Sequence, residues 1–158
     1  MVKPGMAQKS KKDHIIASAL PLFLEHGFKG TSIDMVVHAS SVSKPTVYNH
    51  FPDKAALMLA VLARWIETHK PLIQPLKDIA ELEAFMRNHW LTDEAVRIYA
   101  IVIGEGWRFP EARKLFWEQF DRMWRIAFCY VGDRSPNFEQ AVIERHLDRH
   151  LIERLQAE

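Results

Sequence analysis

The stretch Thr31-Ser-Ile-Asp-Met-Val-Val-His-Ala-Ser-Ser-Val-Ser-Lys-Pro-Thr-Val-Tyr-Asn-His-Phe-Pro-Asp-Lys54 decides how this chain is read. It has the pattern of two short helices joined by a tight turn. Thr31 is placed to be an N-cap, because a threonine hydroxyl accepts from an unpaired amide of the first turn. Asp34, three residues on, has the spacing of a capping box and suits the positive helix end. Ile33, Val36 and Val37 follow at helical spacing, and the helix is expected to end near Ala39 or Ser40. Ser41-Val42 then makes the turn, and Ser43 caps the next helix. Pro45 falls in that helix's first turn, where a missing N–H costs little. Val47 and Phe51, four apart, face inward. Lys44, Thr46, Tyr48, Asn49 and His50 lie on the other faces, where they combine phosphate donors with groups able to read base edges.

A helix this short needs a support to dock on. Residues 13–28 provide the pattern for one: Ile15, Ile16, Ala19, Leu20, Phe23 and Leu24 form an apolar stripe, and Gly27 sits where a C′ glycine ends a helix. Pro21 interrupts the pattern and is expected to free the carbonyl of Ala17 and bend the helix. A further helix is expected from Ala55 to Ile66, with Leu57, Val61 and Trp65 at four-residue spacing.

Three linked pieces, Phe23-Leu-Glu-His-Gly-Phe28, Thr31-Ser-Ile-Asp34 and Val42-Ser-Lys-Pro-Thr-Val-Tyr-Asn-His-Phe51 followed by Asp53-Lys54, resemble the N-terminal domain of the TetR family of bacterial transcriptional regulators. The likeness runs from about Asp13 to Trp65. It implies an all-α homodimer in which each protomer has a three-helix DNA-binding head and a larger helical body for a small ligand and the partner subunit. It also implies repression of transcription, relieved by the ligand. The DNA-contacting residues it implies are Thr31, Ser32, Ser43, Lys44, Pro45, Thr46, Tyr48, Asn49, His50 and Lys54. Among them Tyr48, Lys54 and Thr31 or Ser32 match phosphate-contact positions. Two residues depart from the family pattern: Ser41 stands where glycine is usual, at a position that often needs positive φ, and Pro21 stands where alanine is usual.

Charge agrees with this division of labour. The net charge of the 158 residues is only +1. Residues 1–54 nevertheless carry seven lysines against four acids, a net +3, whereas residues 55–158 carry 14 basic and 16 acidic residues, a net −2. The basic excess lies with the segment expected to meet phosphates. Lys9, Lys11 and Lys12 belong to an expected flexible basic arm, residues 1–12, ahead of a helix-turn-helix domain at 13–53 and a helical body at 54–158. Hydrophobic content of 48% with 26% charge is that of a globular protein. No apolar run reaches membrane-span length, no signal peptide is visible, and Cys129 alone allows no internal disulfide, which suits the cytoplasm.

From Lys70 onward the pattern is that of a helix bundle, with helices expected near 75–90, 92–108, 111–131 and 137–156 and breaks at Pro71, Pro75, Pro110 and Gly132-Asp133. Gly104-Glu-Gly-Trp-Arg-Phe-Pro-Glu111, then Phe116-Trp117, resembles the C-terminal domain of AefR- and AcrR-like members of the same family. Aromatic residues crowd here. They read either as core and dimer packing or as walls of a pocket for an apolar or aromatic effector, with Trp65, Trp90, Arg97, Ile101, Trp107, Phe120 and Trp124 as candidate ligand contacts. Gly104 and Gly106 mark either a bend that makes room or close packing. The helical pattern is still running at Glu158, so the body is expected to be either compact or shortened.

Other chemistry is thin. No nucleophile–base pair is visible, and Glu67 and His69 lack a partner, so no enzyme and no cofactor is expected. His146 and His150 have the four-residue spacing of a helical zinc pair. Neighbouring Glu144 and Asp148 do not complete the set, so a metal-binding protein or enzyme built on this pair is the competing reading. Cys129, beside Phe128 and Tyr130, reads as a buried inert thiol.

Overall fold

A computed structural model describes residues 10–72, 74–133 and 140–157. Among the described residues all regular structure is helical. The helices are α1 (Lys11–Gly30), α2 (Ile33–Ser40), α3 (Lys44–His50), α4 (Lys54–Thr68), α5 (Ile79–Phe85, continued by a π turn, Met86–Trp90) and α6 (Asp93–Glu105, tightened to 3-10 at Gly106–Arg108). They are followed by α7, residues 110–133, and α8 (Gln140–Gln156). None is long and apolar enough to cross a membrane. The chain divides into two compact units, one ending at Val61 and one starting at Leu62, so the division falls inside α4 rather than at its start.

In the first unit α1 begins earlier than the apolar stripe suggests. Ser10 caps it by accepting from the Asp13 amide, so Lys11 and Lys12 are helical rather than part of an arm. Lys9 lies outside the described residues. Helical dihedrals run unbroken through Pro21, whose ring is exposed. The interruption comes instead at Gly27, with φ 71° and ψ −178°, a region essentially reserved for glycine. That break turns Phe28 inward to stack on Phe23 at 6.1 Å.

The cap of α2 corrects the expectation by one residue. Ser32, not Thr31, accepts from the N3 amide, which belongs to Met35, at 3.1 Å. The Met35 sulfur receives the Ser32 N–H at 3.5 Å, where a capping box usually has a carboxylate. Thr31 is buried, and its hydroxyl donates to the carbonyls of Leu22 and Gly27 near the end of α1. The turn is as expected: Ser41 adopts the left-handed conformation with φ 54°, and Ser43 caps α3 through the Thr46 amide.

In the second unit α7 is one continuous helix made of Pro110–Phe116, a π segment Trp117–Asp121, and Arg122–Asp133. Phe116, Phe120, Trp124 and Phe128 are all essentially fully buried along it. A four-residue step overshoots a 3.6-residue turn, so three such steps drift about 120° around a regular α-helix. The wider π turn takes back part of that drift and keeps the four rings on one face. It also turns Asp121 inward beside them, 8% exposed. There it accepts the Tyr99 hydroxyl at 2.7 Å and the Arg125 Nε–H at 3.0 Å, while Trp90 Nε1–H donates to the Tyr99 oxygen. Arg125 reaches on to Asp148 of α8 at 2.7 Å. Burial, reinforced by Asp121, pushes the Tyr99 pKa up. Burial works against the Arg125 charge, but the bonds to Asp148 and Asp121 outweigh it and its pKa is raised.

Candidate nucleic-acid interface

The recognition surface is built by seating α3 through two side chains. Val47 is fully buried and Phe51 is 3% exposed. Lys44, Pro45, Tyr48, Asn49 and His50 are then turned outward together, with Thr46 half-buried. Ser43 and Thr46 join their hydroxyls at 2.7 Å, which fixes the entrance to α3. Ser32, at the start of α2, is exposed. Seven of the ten residues expected to contact DNA therefore share the solvent-facing surface of α2 and α3: Ser32, Ser43, Lys44, Pro45, Tyr48, Asn49 and His50.

Three are placed differently. Thr31 is buried and held by α1, so of the two candidate phosphate contacts at the head of α2, Ser32 is the accessible one. Lys54 does not extend into solvent: its ammonium donates to the carbonyls of Phe28 at 2.7 Å and Thr31 at 2.9 Å, and lies 4.5 Å above the Phe28 ring. It closes the junction between α1 and α2. Thr46 shows only part of its side chain. One further residue enters the surface unannounced. Asp34, exposed in the first turn of α2, is ion-paired with Lys44 at 2.8 Å, and this hydrogen bond raises the Lys44 pKa.

The aromatic residues expected to wall a ligand pocket do not enclose one. Trp65, Trp90, Phe120 and Trp124 are 3% exposed or less, and Ile101 is 8% exposed. They are packed ring on ring, with Trp65 and Phe120 at 4.7 Å and Trp124 and Phe128 at 5.7 Å. Their polar edges are already bonded, Trp65 to Glu94 and Trp124 to the His69 carbonyl. Arg97 is exposed, and Trp107 is a surface residue, 67% exposed, with Arg108 stacked on it at 4.2 Å. Gly106 is a close-packing glycine, since a Cβ there would meet Arg113 at 2.8 Å, whereas Gly104 faces open space. A concave surface of this unit lies elsewhere. It is a groove of about 640 Å³ lined by Ile66, Glu67, Lys70 and Pro71 on one side and Gln119, Met123, Ile126, Ala127 and Tyr130 on the other. Met123, Ile126 and Tyr130 sit at i, i+3 and i+7 on α7, a spacing legible in the sequence but hidden there by the denser aromatic pattern.

The histidine pair meets a residue that spacing did not reveal. His146 and His150 both approach Glu83 of α5, at 3.8 and 3.7 Å. Among the described residues no group of three or more His, Cys, Asp or Glu side chains is placed to hold a metal ion. Cys129 is half-buried rather than buried.

A short helix seated by two apolar side chains, led in by a capped turn and presenting lysine, tyrosine, asparagine and histidine to solvent, has the form of a helix-turn-helix DNA-binding head. Residues 15–61 match the model of the bacterial regulatory proteins of the TetR family. It is similar to the transcriptional regulator RutR of Escherichia coli, 30% identical over 118 residues that cover 72% of this chain and 50% of RutR. It is also similar to the E. coli transcriptional repressor BdcR, 24% identical over 151 residues covering 89% and 76%. The chain thus spans about half the length of RutR. The fold is shared with the crystal structure of a TetR-family transcriptional regulator from Mesorhizobium loti, with a TM-score of 0.65 at 18% identity, covering 93% of this chain and 96% of that one.

Proposed function

We propose that this protein is a ligand-responsive transcriptional regulator, a cytoplasmic repressor that binds a palindromic operator as a homodimer and is released by a small apolar or aromatic effector. The observation that carries the DNA-binding part is the outward face of α3, where Lys44, Tyr48, Asn49 and His50 are exposed over the buried Val47 and Phe51. In a major groove, Asn49 has the donor and acceptor to pair with an adenine edge and Lys44 the donors for guanine. Tyr48 and Ser32 supply hydroxyls for phosphates, which set register without reading sequence. Two-fold pairing of subunits would match two half-sites one helical turn apart.

The groove between Ile66 and Tyr130 supports the effector reading, because its volume is that of a small-ligand site and its walls are mainly apolar. Exposed Ile103, Trp107 and Ile152 support a second subunit, since large apolar side chains at the surface mark contact faces. Repression draws support from the likeness to BdcR. The effector would act by favouring a state whose heads no longer fit the operator.

The test is selection of genomic fragments by the purified protein. A recurring palindrome is expected, with Tyr48→Ala weakening binding to every sequence, as loss of a phosphate contact does. Folded protein that enriches no sequence would overturn the reading.

A further inference from the structure

The head contains no arginine, and its lysines are its only fixed cations. Lys54 is spent on backbone carbonyls inside the α1–α2 junction. That leaves Lys44 as the lysine of the recognition helix itself, and it is not free either. Its ammonium sits 2.8 Å from Asp34 across the gap between α2 and α3. Lys44 is the first residue of α3, the end at which the helix dipole disfavours a cation, and no acid of α3 itself lies in that first turn. Asp34, in the first turn of α2, is well placed for its own helix. The two side chains are 51% and 72% exposed, and exposed pairs of this kind contribute little to stability. The pair therefore has small value to the fold and lies on the surface that faces DNA.

We propose that Asp34 is a specificity-determining residue of the head, one that withdraws Lys44 from the phosphates and aims it at a base edge. The inference rests on the DNA-binding reading above. A lysine that left Asp34 for a phosphate would strand a carboxylate beside the DNA backbone, so little net attraction is gained. An ammonium has three N–H donors. One stays on Asp34 while the others meet the two acceptors of a guanine in the major groove. Asp34 thus suppresses sequence-blind binding and leaves the sequence-specific contact intact.

The experiment compares wild type, Asp34→Asn, Lys44→Met and the double variant on a random-sequence duplex and on the selected operator, each titrated from 50 to 200 mM salt. Asp34→Asn is expected to bind the random duplex about threefold or more tightly at low salt, with the log–log salt slope steeper by about 0.9 as one more phosphate is neutralised. Its preference for the operator falls correspondingly. Lys44→Met is expected to weaken random-duplex binding in wild type, because it strands the Asp34 carboxylate, and the gain from Asp34→Asn is expected to be smaller in the Lys44→Met background than with Lys44 present. An unchanged or weaker random-duplex affinity in folded Asp34→Asn overturns the proposal. So does an equal gain without Lys44, which would mean that Asp34 merely repels phosphates. Asp34→Ser repeats the measurement if thermal melting shows Asp34→Asn unfolded. Loss of all salt-dependent binding in wild type would instead sink the DNA-binding reading itself.

Discussion

Single residues carry several separate tests. Lys54 donates to the Phe28 and Thr31 carbonyls, so Lys54→Met is expected to cost about 1–3 kcal/mol of stability, read as a lower melting temperature. A phosphate contact with no structural role would leave the melt unchanged. Ser41 holds φ 54°, a conformation that costs a non-glycine residue about 1–2 kcal/mol. Ser41→Gly should therefore raise the denaturant midpoint, and Ser41→Val should lower it. Tyr99 yields a pH dependence. Its pKa is raised in the folded state above the ordinary 10.0, because burial, and then Asp121, disfavour the phenolate. The unfolded chain gives up that proton first. The stability tied to Tyr99 is thus fully present below pH 10 and is lost as pH climbs beyond it. Urea unfolding at increasing alkaline pH should show a steeper loss in wild type than in Tyr99→Phe.

At the scale of elements, α3 is too short to be helical alone, and its shape depends on Val47 and Phe51 at their buried positions. Phe51→Ala is expected to cost about 3–5 kcal/mol and to abolish DNA binding together with the protection of α3 amides from exchange. Retained exchange protection would mean that α3 is held by its caps instead. This element was legible in the sequence, because serine, proline and the four-residue apolar spacing act locally. Its partner was less so. Thr31 and Ser32 are adjacent and both able to cap, and the Thr31 hydroxyl is instead taken up by the Leu22 and Gly27 carbonyls near the end of α1. The π segment Trp117–Asp121 had no local signature. It is selected by what must face inward, four aromatic rings and one carboxylate, and this is a property of packing.

At the scale of the whole molecule, the second unit is centred on a closed aromatic core pinned by one polar network. Asp121→Asn leaves Arg125 with Asp148 as its remaining carboxylate and weakens the bond to Tyr99. Breaking such a buried pair is expected to cost about 3–5 kcal/mol, measurable as a loss of cooperative unfolding in this unit. An Asp121→Asn melt within a degree of wild type would show that Asp148 alone satisfies Arg125. The aromatic composition announced a packed body but not which rings would be inside. Trp107 and Trp65 each directly adjoin an arginine in the sequence, yet one is on the surface and the other in the core. The Glu83 carboxylate meets His146 and His150 across more than sixty residues of chain, a distance over which spacing carries no information.

The three-helix head, the turn with its left-handed serine, the inward pair Val47 and Phe51, and the outward face of α3 were all legible before the helices were packed. Each of these rests on contacts within a few residues, or on side-chain chemistry that holds in any surroundings. Tertiary packing alone set Thr31 and Lys54 against the end of α1, paired Asp34 with Lys44, closed Trp65, Trp90, Phe120 and Trp124 into a solid core, and opened a groove along Met123, Ile126 and Tyr130. Those outcomes depend on which groups, distant in sequence, are left unsatisfied once the helices pack, and a buried carbonyl or carboxylate takes whichever partner the packing brings within reach.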